Sequence, residues 1–416
     1  MNFPINCFNI VTMITVDEAI EKVLSHVQPL GFEKASILES LGRVIAEDAI
    51  ASRDLPPYDN SGMDGYAVRS EDIQNASERH PVQLEVIEDL RAGFFAEKVV
   101  QSGQAIRIMT GAPIPMGADS VIPVEDTEIR DGSVLVRKAV RPGEYIRKAG
   151  EDVKGGDRVI TQGEIIRPSE IGMLASIGRS FILVYRRPLV AILCTGEELV
   201  DVGEALVGAK IVSSNSYTLA AQVKECGAIP MQLGIARDDK DEIKTKLLQG
   251  LQADVFISSA GVSVGDYDFV RDALKELGAK MVFWRVAMKP GKPVAFWLYE
   301  GKPVFSLPGN PVSSMVTFEQ FVRPALLKMM GHRQIFRPII DAVLKEEIRK
   351  EPGKKHFIRA LVSLENDGYF VTTTGPQGSG ILRSMVKANS LIIIPEDQEI
   401  VRAGEKVKVQ VLDRNL

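Results

Sequence analysis

Seven short stretches of this sequence gather glycine, proline, hydroxyl, acid and base at spacings suited to anion or metal chemistry. The first is Asp54-Leu55-Pro56-Pro57-Tyr58-Asp59-Asn60-Ser61-Gly62-Met63-Asp64-Gly65-Tyr66-Ala67-Val68, where acids crowd a segment stiffened by two prolines. Asp-Asn-Ser-Gly is ordinary turn material, but carboxylates on a rigid loop also suit a hard cation or a proton transfer. The second, Arg107-Ile108-Met109-Thr110-Gly111-Ala112-Pro113, ends a strand in a tight turn, so the Thr110 hydroxyl either caps that turn or meets an oxyanion. The third, Ile146-Arg147-Lys148-Ala149-Gly150-Glu151-Asp152-Val153, places two cations before two acids. A solvated charged turn explains it, and such exposed pairs add little stability. The functional reading sets Arg147 against an anion while Asp152 helps to hold a metal.

The other four follow one another between residues 190 and 315. Cys194-Thr195-Gly196-Glu197-Glu198-Leu199 comes directly after an apolar run, as does Ser258-Ser259-Ala260-Gly261-Val262-Ser263-Val264-Gly265-Asp266-Tyr267-Asp268. Gly261 and Gly265 let backbone N–H groups near Ser263 approach a phosphate, and a helix opening near Asp268 offers its positive end. The loop is neither a dinucleotide fingerprint nor a Walker A motif. Arg237-Asp238-Asp239 adds carboxylates at a third strand end. In Arg285-Val286-Ala287-Met288-Lys289-Pro290-Gly291-Lys292-Pro293 and Ser306-Leu307-Pro308-Gly309-Asn310-Pro311-Val312-Ser313-Ser314, proline flanks each glycine and fixes the loop. Arg285, Lys289 and Lys292 supply positive charge for a dianion, and Pro311 reads as the first turn of a helix ending near Met330.

These stretches need elements to position them. Thr15-Val16-Asp17-Glu18 is a capping box followed by an apolar stripe at helical spacing, Val16, Ala19, Ile20, Val23, Leu24 and Val27. Short strands are expected at 82–87, 105–108, 120–123 and 134–136, with a hairpin at Asp131-Gly132. A helix opening at Pro168-Ser169-Glu170 is expected to pack beside the first one. From 188 to 331, apolar strands near 190–193, 231–235 and 255–258 alternate with helices from Asn215, Lys240 and Asp268, the pattern of a parallel, doubly wound sheet. Ligands of such sheets bind beyond the carboxyl ends of the strands, where the glycine- and acid-rich stretches fall. After Gly331, short strands without a helix predict a small β-barrel or sandwich. The expected organisation is α/β multidomain. A discontinuous N-terminal region (14–50 and 143–180) carries a β-rich insertion (51–142), followed by the doubly wound domain (181–331) and a C-terminal β-barrel (332–416).

Composition narrows the classes. At 416 residues the chain is long enough for two to four domains, and 45% hydrophobic with 25% charged residues suits a soluble globular protein. A formal net charge of -5 gives no basic field for nucleic acid. Cys7, Cys194 and Cys226 form no C-x-x-C pair, and His26, His80, His332 and His356 show no zinc spacing, so a reducing, cytoplasmic setting fits. The uncharged first sixteen residues lack a basic n-region and a cleavage site, and are expected to be a disordered extension with the natural start at Met13. No segment reaches the length of a membrane span.

Taken in order from about Ile14 to the C-terminus, the seven stretches resemble the MoeA family, which includes the C-terminal domain of gephyrin and the corresponding plant Cnx1 domain. Asp59-Asn60-Ser61-Gly62-Met63-Asp64-Gly65-Tyr66-Ala67 and Leu307-Pro308-Gly309-Asn310-Pro311-Val312-Ser313 carry the resemblance most specifically. It implies a MogA-like α/β domain and an elongated four-domain homodimer, with the active site between that domain and the partner subunit's N-terminal domains. It also implies a molybdopterin molybdenumtransferase: adenylylated molybdopterin plus molybdate gives molybdenum cofactor plus AMP, with Mg²⁺ required. The implied catalytic groups are Asp59, Thr110, Asp152 and Asp238. Arg147, Arg285, Lys289, Pro308, Pro311 and Ser384 are the implied substrate contacts, beside Gly261, Ser263 and Lys292 from the residue reading. Glu198, Asp238 and Asp268 form the metal side. Transient contact with a MogA-type adenylyltransferase is a further expectation. Glu197 stands where aspartate is common in the family, Ala260 where glycine is, Gly62 where alanine is, and Arg285 where lysine often is. Two rivals remain: the adenylyltransferase of the preceding step, and a molybdopterin-binding scaffold without catalysis.

Overall fold

The computed structural model describes residues 13–260, 269–365 and 368–413. The chain divides into two compact units, a smaller one of Ala35–Leu41 with Glu47–Ile182 and a larger one built from residues 13–34, 42–46 and 183–413.

The smaller unit is built on a six-stranded sheet. Its order is Ser120–Pro123, Gly65–Val68, Gln104–Ile108, Val82–Leu90, Ser133–Val136 and Thr127–Arg130. Side chains alternate between two cores: Tyr66, Val68, Leu84 and Ile122 face one, and Ala67, Leu90, Ile106 and Val121 face the other. The hairpin expected at Asp131-Gly132 is present, with φ of 48° and 81° at those residues and Arg130 opposite Ser133. Gly65–Val68 is an unexpected strand, because its glycine and aspartate neighbours read as turn. Glycine is required there: a Cβ on Gly65 would lie 2.0 Å from the Ile122 carbonyl oxygen.

The larger unit holds the α/β sheet, in the order Ile229–Ala236, Leu189–Thr195, Val255–Ser259, Lys302–Leu307, Ala295–Tyr299 and Lys280–Trp284. Five strands run one way. Ala295–Tyr299 runs against them, because Glu300-Gly301, at φ of 49° and 80°, folds it tightly back onto Lys302–Leu307. Helices cover both faces. Ile243, Leu247, Val270 and Leu274 pack against Ala191, Leu193 and Phe256. On the opposite face Leu219, Val223, Val312 and Val316 pack against Val190, Ile192 and Phe305. From Pro311 the chain stays helical to Met329, widened by one π turn at Phe318–Val322.

The capping box at Thr15 forms as read, with the Thr15 N–H donating to Glu18 (2.8 Å) and the Glu18 N–H donating to the Thr15 hydroxyl (3.2 Å). Its helix, Val16–Ser25, buries Val16, Ala19 and Val23 in the α/β core. The second expected helix, Pro168–Ser176, belongs to the smaller unit. The apolar stripe of the first is spent on the larger core.

The C-terminal segment closes a barrel. Lys355–Glu365, Gly368–Thr373, Ile339–Leu344, Lys406–Val411 and Ser390–Ile394 pair in sequence, and the last returns to the first. Inside lie Ala342, Leu344, Ile358, Ala360, Val371, Ile392 and Val409. One short helix, Leu382–Lys387, corrects the helix-free expectation. No helix among the described residues is long and apolar enough to cross a membrane.

Candidate active site

Three parallel strands deliver their ends to one pocket of about 420 Å³. Thr195 and Glu198 follow the first strand, Ser259 and Ala260 end the second, and Pro308 to Pro311 follow the third. Asn215, in the first turn of its helix, ties two of these ends together by donating to the Ser259 hydroxyl (2.8 Å) and the Gly309 carbonyl (2.7 Å). Ala260 holds φ at +78°, a left-handed conformation that favours glycine, the residue common there in the family it resembles. Its N–H is bound to the Leu307 carbonyl (3.0 Å) and is therefore not offered to a ligand. Pro311 sits at the start of its helix as expected. Gly261, Ser263 and Asp268 lie outside the described residues.

Beside this pocket stand three acids. The Asp238 N–H donates to the Glu197 carboxylate (3.2 Å), and the Asp238 carboxyl is raised above its ordinary range by burial, then by the charges of Glu197 and Glu198. Lys210 donates to the Glu197 backbone carbonyl. Among the described residues no three metal-ligating side chains converge on one point. Glu198 and Asp238 supply hard oxygen donors whose mutual repulsion a cation would relieve, so their chemistry fits Mg²⁺.

A second cavity, of about 870 Å³, opens between the sheet-end loops and the barrel. Lys289 enters it because Met288–Lys289 pairs in parallel with the barrel strand, which sets Lys289 opposite His356. Lys292 and Pro308 line it as well. Gly291 makes the turn between them, at φ of +107°, where a Cβ would strike the Thr317 methyl at 2.4 Å. Arg285 lines neither cavity; its guanidinium lies 4.1 Å above the Trp284 ring.

Ser384 is buried and does not line the cavity. Its hydroxyl donates to the Ile381 carbonyl (2.7 Å) and accepts from Arg359 Nε (3.2 Å). Arg359 is the residue that sequence reasoning missed. It is 1% exposed and lines the cavity, and it has no acidic partner among the described residues. Burial lowers its pKa to about 10. A second nitrogen donates to the Gly378 carbonyl (3.1 Å), so the guanidinium is fixed before any anion arrives. One signal was available: a lone arginine inside the apolar strand Phe357-Ile358-Arg359-Ala360.

The smaller unit brings Asp59, Arg147 and Asp152 onto one pair of facing segments. Asn60–Ser61 pairs with Ile146–Arg147, and Leu55 bridges Val153. Asp59 accepts from Lys148 Nζ (2.7 Å) and the Ala149 N–H (2.9 Å), which hold its carboxyl below the usual range. The Arg147 guanidinium and the Asp152 carboxylate make no hydrogen bond or ion pair among the described residues, and both are exposed. Thr110 bonds to an acid of the same unit. Its hydroxyl and its N–H both meet Asp64 Oδ1 at 2.7 Å, and that carboxyl is held ionised by those same bonds.

Three family models match in chain order. They are the MoeA N-terminal region (domain I and II) at 14–178, a probable molybdopterin-binding domain at 191–328, and the MoeA C-terminal region (domain IV) at 341–412. Molybdopterin molybdenumtransferase 2 of Mycobacterium tuberculosis is 40% identical over 379 residues, covering 90% of this chain and 93% of that protein. Molybdopterin molybdenumtransferase of Staphylococcus aureus is 35% identical over 400 residues, covering 95% of each. The crystal structure of the molybdopterin biosynthesis MoeA protein from Pyrococcus horikoshii OT3 superposes with a TM-score of 0.79 at 34% identity, over 96% of this chain and 100% of that one. On the ordered motifs, the α/β and barrel folds and these likenesses together, the chain belongs to the MoeA family.

Proposed function

We propose that this chain is a molybdopterin molybdenumtransferase, moving molybdenum from molybdate into adenylylated molybdopterin with release of AMP. One observation carries the site assignment: the two cavities share Pro293, Pro308 and Asn310 as a common wall. A phosphate-bearing pterin in the sheet-end pocket and an oxyanion in the cationic cleft are therefore neighbours. Lys289, Lys292 and Arg359 hold the molybdate dianion, with Ser384 orienting Arg359. Rigid proline loops keep both ligands in place at low entropic cost.

Glu198, Asp238 and Asp268 are the residues we propose for Mg²⁺, which when bound supplies charge neutralisation to phosphoryl oxygens as AMP leaves. Asp59 is ionised and ion-paired at neutral pH, so its part is electrostatic rather than that of an acid. Asp152 and Arg147 present free charged groups to whatever faces them, while Thr110 holds Asp64. Arg285, stacked on Trp284, steers anions at longer range.

The four-region division at 14–50 with 143–180, 51–142, 181–331 and 332–416 belongs to this proposal, as do a cytoplasmic homodimer and transient contact with a MogA-type adenylyltransferase. In the dimer, the smaller unit of one subunit serves the sheet-end pocket of its partner.

The test is direct. Purified protein given adenylylated molybdopterin, molybdate and Mg²⁺ is expected to release AMP and form active cofactor. Pyrophosphate release from unadenylylated pterin and ATP points instead to the adenylyltransferase. Asp59→Ala and Asp238→Ala are each expected to abolish turnover, and mixing the two variants to restore part of it. Turnover unaffected in both singles would remove the site assignment whatever the function.

A further inference from the structure

His356 has no part in the reaction as described, yet it stands on the wall of the oxyanion cleft. It is 7% exposed, and neither ring nitrogen has a hydrogen-bond partner among the described residues. Its ring nitrogens are not sealed inside the fold, so solvent or a ligand in the cleft can reach them. Its own strand, Lys355–Glu365, places it opposite Lys289 on one side and Ile394 on the other.

The charges that act on it most strongly are positive, with Glu396, Asp397 and Glu399 acting on Lys350 behind them. Lys289 faces it from the α/β domain, and Lys350 and Lys354 from the segment leading into its own strand. Ser390–Ile394, the other strand paired with it, contributes no charge. The acids of the cleft wall are mostly engaged elsewhere. Glu346 accepts from Thr372 and Thr373, and Glu347 is paired with Arg349. Glu351 is exposed on the rim. Burial and then the three lysines hold His356 neutral, with a pKa of about 4.

A dianion among these lysines reverses that field. We propose that His356 takes up a proton when a tetrahedral dianion enters the cleft and donates it as a hydrogen bond to one of the dianion's oxygens. The proton comes from solvent, and no bond of the anion is made or broken. The inference rests on the cleft being the molybdate site. It makes binding favourable in proportion to acidity across the range between the two protonation limits of the ring. Arg359, with a pKa of about 10, is already protonated there, so it contributes no such dependence.

Isothermal titration of the full-length protein with inorganic molybdate, in buffers of different ionisation enthalpy, reads the proton count directly. Near pH 6 the wild type is expected to take up close to one proton per molybdate, with Kd rising about tenfold per pH unit. His356→Gln keeps a hydrogen-bond donor but cannot titrate. It is expected to bind with near-zero uptake and a flat Kd. Wild-type binding without proton uptake overturns the inference and leaves the molybdate cleft standing, and needs no variant to fold. Uptake unchanged in His356→Gln overturns it equally. No binding of molybdate to wild type, or binding unaltered by Arg359→Met, removes the cleft assignment and this inference with it.

Discussion

Arg359 shows what the proposed molybdate cleft asks of the residue that would serve it. A guanidinium buried to 1% exposure, held by a serine hydroxyl and a carbonyl but by no carboxylate, destabilises the fold on its own. The drop from 12.5 to about 10 in its pKa corresponds to a cost on the order of 3 kcal/mol. Replacing it by methionine fills the same volume without charge. Arg359→Met is therefore expected to be no less stable than wild type in urea denaturation, and to bind molybdate at least about tenfold more weakly, the loss of one or two charge-assisted bonds. A variant that loses stability and keeps its affinity would show the arginine to be structural. Ala260 carries a smaller strain of the same kind, at φ of +78° beside the sheet-end pocket.

At the scale of elements, the helix Pro168–Ser176 illustrates how local chemistry is read and how it is measured. Pro168-Ser169-Glu170 marks its start in the sequence, and Glu170 does accept the Arg167 N–H at 2.9 Å, in addition to two guanidinium bonds. Those bonds, with the side-chain pair to Arg167 foremost, lower the Glu170 carboxyl to about 2. An acid with a depressed folded-state pKa contributes its full stability above the unfolded value near 4.5, and loses it as pH falls toward 2. Because the Arg167 side chain is 71% exposed, solvent screening limits the contribution to about 1 kcal/mol. Glu170→Gln is expected to lower the unfolding free energy from urea titration by that amount at pH 7. The difference from wild type should shrink as titration is carried below pH 4; an equal gap at every pH would mean that packing, not charge, is lost.

The same contrast separates what the sequence made legible from what it did not. Caps, the Asp131-Gly132 hairpin and the alternating helices and strands of 188–331 were readable, because each is decided by neighbours within a few residues. The strand Gly65–Val68 was not, since its reason is the Ile122 carbonyl passing close to Gly65. The two roles open to Thr110 could not be separated, because Asp64, to which its hydroxyl donates, lies 46 residues away. Arg359 and Lys289 converge only when a barrel strand docks on an α/β loop, a pairing no local pattern encodes. The glycine- and proline-rich sheet-end loops were visible as a site; their cationic neighbour was only half visible.

For the larger unit as a whole, one arginine joins the α/β domain to the barrel. Arg337, just before the first barrel strand, donates from Nε to Glu319 in the π turn (3.0 Å) and from Nη2 to Glu225 at the end of Ser214–Glu225 (3.0 Å). Its Nη1 donates to the carbonyl of Leu412 after the last barrel strand (2.9 Å). Glu319 is 7% exposed, and burial pushes its carboxyl up against the pull of Arg337 and Arg323. The pair need not stabilise the fold relative to an apolar one, but removing one member leaves a buried charge. Arg337→Met is expected to cost about 3–5 kcal/mol by chemical denaturation, since Arg323, at 3.5 Å, compensates Glu319 only in part. Adding Glu319→Gln to that variant should recover most of the loss, because the charge that needed a partner is gone. The proposed molybdate cleft is walled on one side by each domain, so the single variant should also bind molybdate more weakly, and the double variant should regain affinity in step with stability. If the second substitution deepens the loss, the arginine acts through its bonds to Glu225 and the Leu412 carbonyl, and the buried carboxylate is not what sets the two domains together.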